Sequence, residues 1–212
     1  MIELYAITGH PAPPLPDVGP LRELTRDGLA VVFSETSEDG APTAERLWRH
    51  EHVVEKLMES RDLLPVRYGT RARDEDEVAH ALDRRREELV TALTFVRDAV
   101  EVSLRVFGDE SGPDILPVGR PRSGSEYLRA KARDAGVRRE LVQAVHEPLR
   151  AIARSDCVSP SRRDPELLRS AYLVDRRRVR RFTRAVAKLQ AAHPGFRLLC
   201  TGPWPPYSFV QR

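Results

Sequence analysis

No apolar run in this chain approaches the roughly 18–20 residues that a bilayer-spanning helix needs, so no membrane partner is expected. The opening MIELYAITGH has no basic stretch followed by an apolar one, which argues against a secretion signal. Cysteine is scarce. Cys157 and Cys200 lie far apart without motif spacing, which disfavours a disulfide framework and fits a cytosolic chain. No cysteine or histidine pair has zinc-ligand spacing. His50 and His52 stand two apart on an expected helix and point to different faces. The nearest approach to a phosphate loop is GRPRSGS, residues 119–125, where Ser125 stands in place of the lysine that would reach the phosphates. A Gly-rich turn before a helix explains it better. No metal, no cofactor and no catalytic residues are therefore assigned, and an enzyme is not expected.

What is present is a globular composition. Of 212 residues, 41% are hydrophobic and 32% charged, enough for one large domain or two small ones. Lys plus Arg is 35 against 32 Asp plus Glu, so the basic excess is too small to imply a nucleic-acid partner by itself.

Glu3 to Thr8 reads as a two-sided central strand, with Leu4 and Ala6 on one face and Tyr5 and Ile7 on the other. A Pro-rich loop follows. Leu21–Thr25 and Leu29–Ser34 read as a hairpin turning at Asp27-Gly28. Thr43 is the expected N-cap of a helix whose apolar positions are Ala44, Leu47, Trp48, Val54, Leu57 and Met58. LLPVRYGT, residues 63–70, is a short strand closed by Gly69. Asp74 and Glu77 have capping-box spacing at the head of a second helix.

From Val100 to Val106 apolar residues alternate with Glu101, Ser103 and Arg105, a strand with one wet face. A long helix is expected after Ser123, broken or kinked by Pro148 near Val145. Leu168–Val174 is a strand. The helix 175–192 turns Val179, Phe182, Val186 and Leu189 inward and its arginines outward. Phe196–Thr201 is the last strand. The order after residue 97 is strand, helix, strand, helix, strand. The fold class is α+β with two subdomains, 1–97 and 98–212, the second ending in an aromatic, Pro-rich edge segment.

That segment is TGPWPPYSFV, residues 201–210. Trp204, Tyr207 and Phe209 offer large apolar area at low side-chain entropy cost, and the prolines stiffen the backbone. A rigid segment folded onto the domain with at least one ring packed is expected. Spacing does not say whether another ring faces a partner. Arg67, between apolar residues in PVRYGT, reads as half-buried, either in a structural ion pair or as an anion or partner contact. The Arg-rich helix 175–192 is the alternative functional reading, a nucleic-acid-binding module, although the strand EVSLRVF lacks the aromatic pair that stacks bases on a sheet.

TGPWPPYSFV also resembles the C-terminal signature of the gas vesicle protein F/L family. LLPVRYGT resembles that family's Leu-Pro-X-Arg-Phe-Gly-Thr block, with Tyr68 in the aromatic slot. His50-x-x-Val53, GSEYLRAK at 124–131 and the strand ending Tyr5-Ala6-Ile7 fit in order. The resemblance implies a two-domain protein with a ferredoxin-like C-terminal half, and an accessory, non-enzymatic part in gas vesicle nucleation or assembly. It implies a cytoplasmic, vesicle-associated location, with the hydrophobic shell protein and other accessory gas vesicle proteins as partners. Arg67, Tyr68, Trp204, Tyr207 and Phe209 are the candidate partner-binding residues.

Overall fold

The computed structural model describes residues 1–36, 43–108, 136, 140, 143–160 and 166–210. The chain divides into two compact units: Met1–Glu101 together with Trp204–Arg212, and Val102–Pro203. The sequence boundary at 97 assigned the last residues to the second half, whereas the structure groups Trp204 onward with the first. Local periodicity carries no record of so distant a return.

The first unit is built on a sheet of order β2-β3-β1-β4, with β5 also pairing β1. The strands are β1 (Ile2–Gly9), β2 (Arg22–Arg26), β3 (Leu29–Glu35), β4 (Leu63–Pro65) and β5 (Arg71–Ala72). The β2–β3 hairpin turns at Asp27 and Gly28, whose φ angles of 46° and 81° give the left-handed turn that matches strand twist. In β1 the register with β3 shifts between Leu4 and Ala6. This bulge corrects the expected alternation: Leu4 and Ile7, not Leu4 and Ala6, line the same side.

Helix α1 (Ala44–Ser60) begins where expected, with the Thr43 side chain accepting from the Arg46 amide. Its buried stripe is His50, Val53, Val54, Leu57 and Met58. Leu47 and Trp48 are 44% and 75% exposed, so the expected inward face is wrong at its start. The stripe runs i, i+3, i+4, i+7, i+8 from His50, and a polar residue at its head hid the phase. Helix α2 (Glu75–Val96) is capped by Asp74, whose side chain accepts from the Glu77 amide. The Glu77 carboxylate accepts from the Arg73 backbone instead of completing a reciprocal box.

The second unit carries a sheet of order β7-β8-β6-β9. Its strands are β6 (Ala99–Gly108), β7 (Ser155–Pro160), β8 (Glu166–Asp175) and β9 (Phe196–Trp204). Helical residues 143–150 (α3) precede β7, and α4 (Val179–Ala192) joins β8 to β9. The described order is therefore β–α–β–β–α–β, the pattern of ferredoxin-like units, with one strand more than the sequence suggested. The helix also runs through the exposed Pro148 and does not end near Val145. Val102, Leu104 and Val106 of β6 pack with Val145, Leu149, Tyr172, Phe182 and Val186 in one core. The opposite face holds Phe107, with the guanidinium carbons of Arg197 and Arg105 4.7 and 5.7 Å from its ring centre.

Among the described residues no helix is long and apolar enough to cross a membrane, and no group of three or more His, Cys, Asp or Glu could hold a metal. The 119–125 loop and the GSEYLRAK block lie outside the described residues.

Candidate functional site

The stretch LLPVRYGT works on two sides of the first unit. Toward α1, the buried His50 places Nε2 2.9 Å from the Val66 carbonyl and Nδ1 3.3 Å from Glu3. Tyr5 and Tyr68 flank the imidazole at 5.0 and 5.5 Å between ring centres. The Tyr5 hydroxyl lies 3.0 Å from Ser34 Oγ, and burial pushes its pKa up. The His50, Tyr5 and PVRYGT segments, distant in sequence, thus share one junction.

Toward α2, the same stretch forms a wall of a groove of about 400 Å³. Leu4, Ile7 and Val31 supply its sheet side and Val78, Ala81, Leu82 and Leu89 its helix side. Leu64 to Arg67 and Thr70 come from the LLPVRYGT stretch, and Tyr207 and Val210 from the C-terminal segment. A groove this size, mostly apolar with a few polar groups, has the proportions of a ligand or peptide cleft. Gly69 at φ 82° makes the turn that returns the chain from β4 to β5.

The C-terminal segment is fastened by polar contacts that sequence spacing did not reveal. The Ser208 amide and hydroxyl donate to the two Glu101 carboxylate oxygens at 2.8 and 2.9 Å. Burial pushes the Glu101 carboxyl up, and the two Ser208 bonds only partly offset it. The Tyr207 hydroxyl donates to Glu51 at 3.2 Å, and burial, then the nearby carboxylate, drives its pKa upward. Phe209 is 1% exposed.

The five sequence candidates therefore separate. Arg67 and Tyr207 meet at the groove. Tyr68 stands in the His50 junction. Phe209 is core, and Trp204 is 40% exposed. Arg67 is exposed, which corrects its expected half-burial. The buried arginine of this region is Arg61, 4% exposed, donating to Glu23 at 3.1 Å and to the Pro13 carbonyl. Its place just after the last turn of α1 was the only local signal.

With this geometry in hand, the chain can be set beside known proteins. A model described as gas vesicle synthesis protein GvpL/GvpF matches residues 3–211. Gas vesicle protein F of Streptomyces sp. (strain CB03234) is 30% identical, with 98% of each chain covered. Gas vesicle protein L of the same organism is 31% identical over 76% of this chain and 67% of its own. The crystal structure of GvpF from Anabaena sp. PCC7120 shares the fold, with a TM-score of 0.83 at 20% identity over 100% of this chain and 96% of that one. These relatives are named for gas vesicles and not for a reaction. A family model matched over residues 3–211 and a relative 30% identical over 98% of each chain identify it: the protein belongs to the gas vesicle synthesis protein GvpL/GvpF family.

Proposed function

We propose that this protein is an accessory gas vesicle protein that works in the cytoplasm, on or beside the growing vesicle. It takes part in nucleation or assembly by binding the hydrophobic shell protein and other accessory gas vesicle proteins. The family match over residues 3–211 carries this reading. The groove and the exposed Trp204 support it, because a folded, pre-formed apolar surface binds an aggregation-prone subunit with little ordering cost. The role needs no catalysis. Co-purification of the tagged protein with the shell protein, in soluble and floating-vesicle fractions, tests it. Capture in either fraction is expected; absence from both refutes the reading.

A second reading is favoured only by the exposed arginines at 176–178, 180 and 181. They would give a nucleic-acid-binding module, whose mark is an affinity that falls steeply with salt.

A further inference from the structure

We infer that the outer face of α4 docks an acidic segment of a partner protein. That the partner is another gas vesicle protein rests on the function proposed above; the chemistry of its docking segment rests on α4.

The charge of the chain is unevenly placed. Of its 35 Lys and Arg, nine follow Asp175, and none of its 32 Asp and Glu does. Residues 1–175 therefore hold 26 cations against 32 acids, a net charge of −6, although the whole chain carries +3. Most of the late excess lies on one short element. Val179, Phe182, Val186 and Leu189 turn α4 onto the core of the second unit. At about 100° per residue, Arg180, Arg181, Arg184 and Lys188 fall on the opposite side. All four are exposed, as is Arg177 in the single 3-10 turn just before.

On the other helices such charges are paired within a turn. Arg49 meets Glu45 and Lys56 meets Glu59 on α1; Arg73 meets Glu77 and Arg85 meets Glu88 on α2. Arg178 meets Asp175 at the entrance to α4. Beyond it, no cation of α4 meets a carboxylate among the described residues. Arg184 donates to the Arg180 carbonyl at 3.2 Å, which leaves its charge unopposed. The first turn of α4 also has no acidic residue and no side-chain cap. Positive charge there opposes the helix dipole, so Arg180 and Arg181 cost α4 stability. A carboxylate brought by a partner would offset that cost.

The face suits a protein carboxylate better than a polyphosphate. The residues exposed between the cations are Thr183, Ala187 and Ala191, none of them an aromatic on which a base could stack. A long nucleic acid or an anionic membrane would also meet the net negative charge of residues 1–175, which weakens its attraction. From Arg180 to Lys188 the helix rises about 12 Å. A short segment with a carboxylate about every helical turn, roughly 5.4 Å, covers that length. Arginine forks donate bidentately to such groups, which fixes orientation as well as attraction.

The test co-expresses the tagged full chain with the shell protein and with each other gas vesicle protein of its host, one at a time. Captured pairs are treated with a carbodiimide, which joins an amine to a carboxylate in contact with it. Mass spectrometry is expected to find Lys188 joined to an Asp or Glu of one partner. Two double variants with the same change in net charge accompany it: Arg180→Glu with Arg184→Glu on α4, and Arg49→Glu with Arg86→Glu at exposed positions of α1 and α2. The α4 pair should cut capture of that partner by roughly tenfold or more. It should leave the melting temperature level or higher, because acids suit a helix N-terminus. The control pair should capture as wild type does. If the α4 pair lowers the melting temperature, the Lys188 cross-link in wild type decides.

Equal loss in both pairs, or no Lys188 cross-link to a partner carboxylate, overturns the inference. So does a Lys188 cross-link to a second copy of this chain alone. Tighter binding of a fluorescein-labelled single-stranded RNA than of any gas vesicle protein, abolished in the α4 pair, overturns it in favour of nucleic acid. If the α4 pair captures gas vesicle proteins as well as wild type does, the α4 assignment falls and the assembly role stands. If wild type captures none, both fall.

Discussion

Glu101 in the first unit and Glu166 in the second are almost equally buried, 7% and 6% exposed, yet their carboxyls shift in opposite directions. Among the described residues Glu101 accepts from the Ser208 amide and hydroxyl, both neutral donors, and burial pushes its carboxyl up. Glu166 accepts from Arg169 and Arg105 at 2.9 and 2.8 Å and is held down at about 2, the Arg169 hydrogen bond contributing most. Burial wins at Glu101, whose donors are neutral, and the hydrogen bonds from two arginines win at Glu166. The source of the partner differs as well. Glu166 is held by its own strand and by β6, whereas Glu101 depends on a segment more than a hundred residues further along the chain.

The sharpest way to break this contrast is Phe209→Ala. Emptying that site should cost the first unit about 3–5 kcal/mol and loosen Ser208 from Glu101. Trp48 lies on α1 of the first unit, so in a chain whose Trp204, the last residue of β9, is changed to Phe the tryptophan fluorescence follows that unit alone. Hydrogen exchange of the β8 amides follows the second. The fluorescence transition should fall while β8 protection holds; equal loss in both would mean that the contrast between units has no energetic basis.

Ser208→Ala should cost the first unit about 1–2 kcal/mol, since it leaves Glu101 one donor short. It should also raise the Glu101 carboxyl further. A group whose folded pKa is raised loses stability as pH climbs from its ordinary value to the raised one. Mild acid therefore favours the first unit, more steeply in Ser208→Ala, and denaturant melts across pH 4–7 measure that slope.

Glu166 must show the opposite sign. Its depressed carboxyl stabilises the folded state above the ordinary carboxylate range, and that contribution fades as pH falls through about 2. In Glu166→Gln the acid limb of β8 protection should flatten; an unchanged limb would sink the ion-pair account. The smallest effect is expected of Trp204→Ala. With the ring 40% exposed, it should cost below about 1 kcal/mol and leave both pH slopes alone.

Much of this was legible from residues near in sequence. The Asp27-Gly28 turn, the Thr43 and Asp74 caps, the alternation of β6 and the inward face of α4 each depend on a few adjacent positions. Strand β7 was not legible. SDCVSP carries one large apolar residue and a proline, as an outermost strand with a single neighbour can. The bulge in β1 and the phase of α1 were missed because one inserted residue, or one buried histidine, shifts a pattern without breaking it. The site was half legible. LLPVRYGT and the terminal segment stood out as words, but their meeting at α2, and the parts of Glu101 and Glu51, are long-range facts that no spacing encodes.

The return of the last residues to the first unit has a consequence for synthesis. The chain leaves that unit at Glu101 and re-enters it at Trp204. At about 5–20 residues per second, a ribosome needs roughly 5–20 s to make what lies between. Throughout that interval the groove lacks its Tyr207 and Val210 wall, and Glu101 lacks Ser208. A nascent or truncated chain therefore presents an unfinished site. The last described residues thus complete the first unit only after the second has been made.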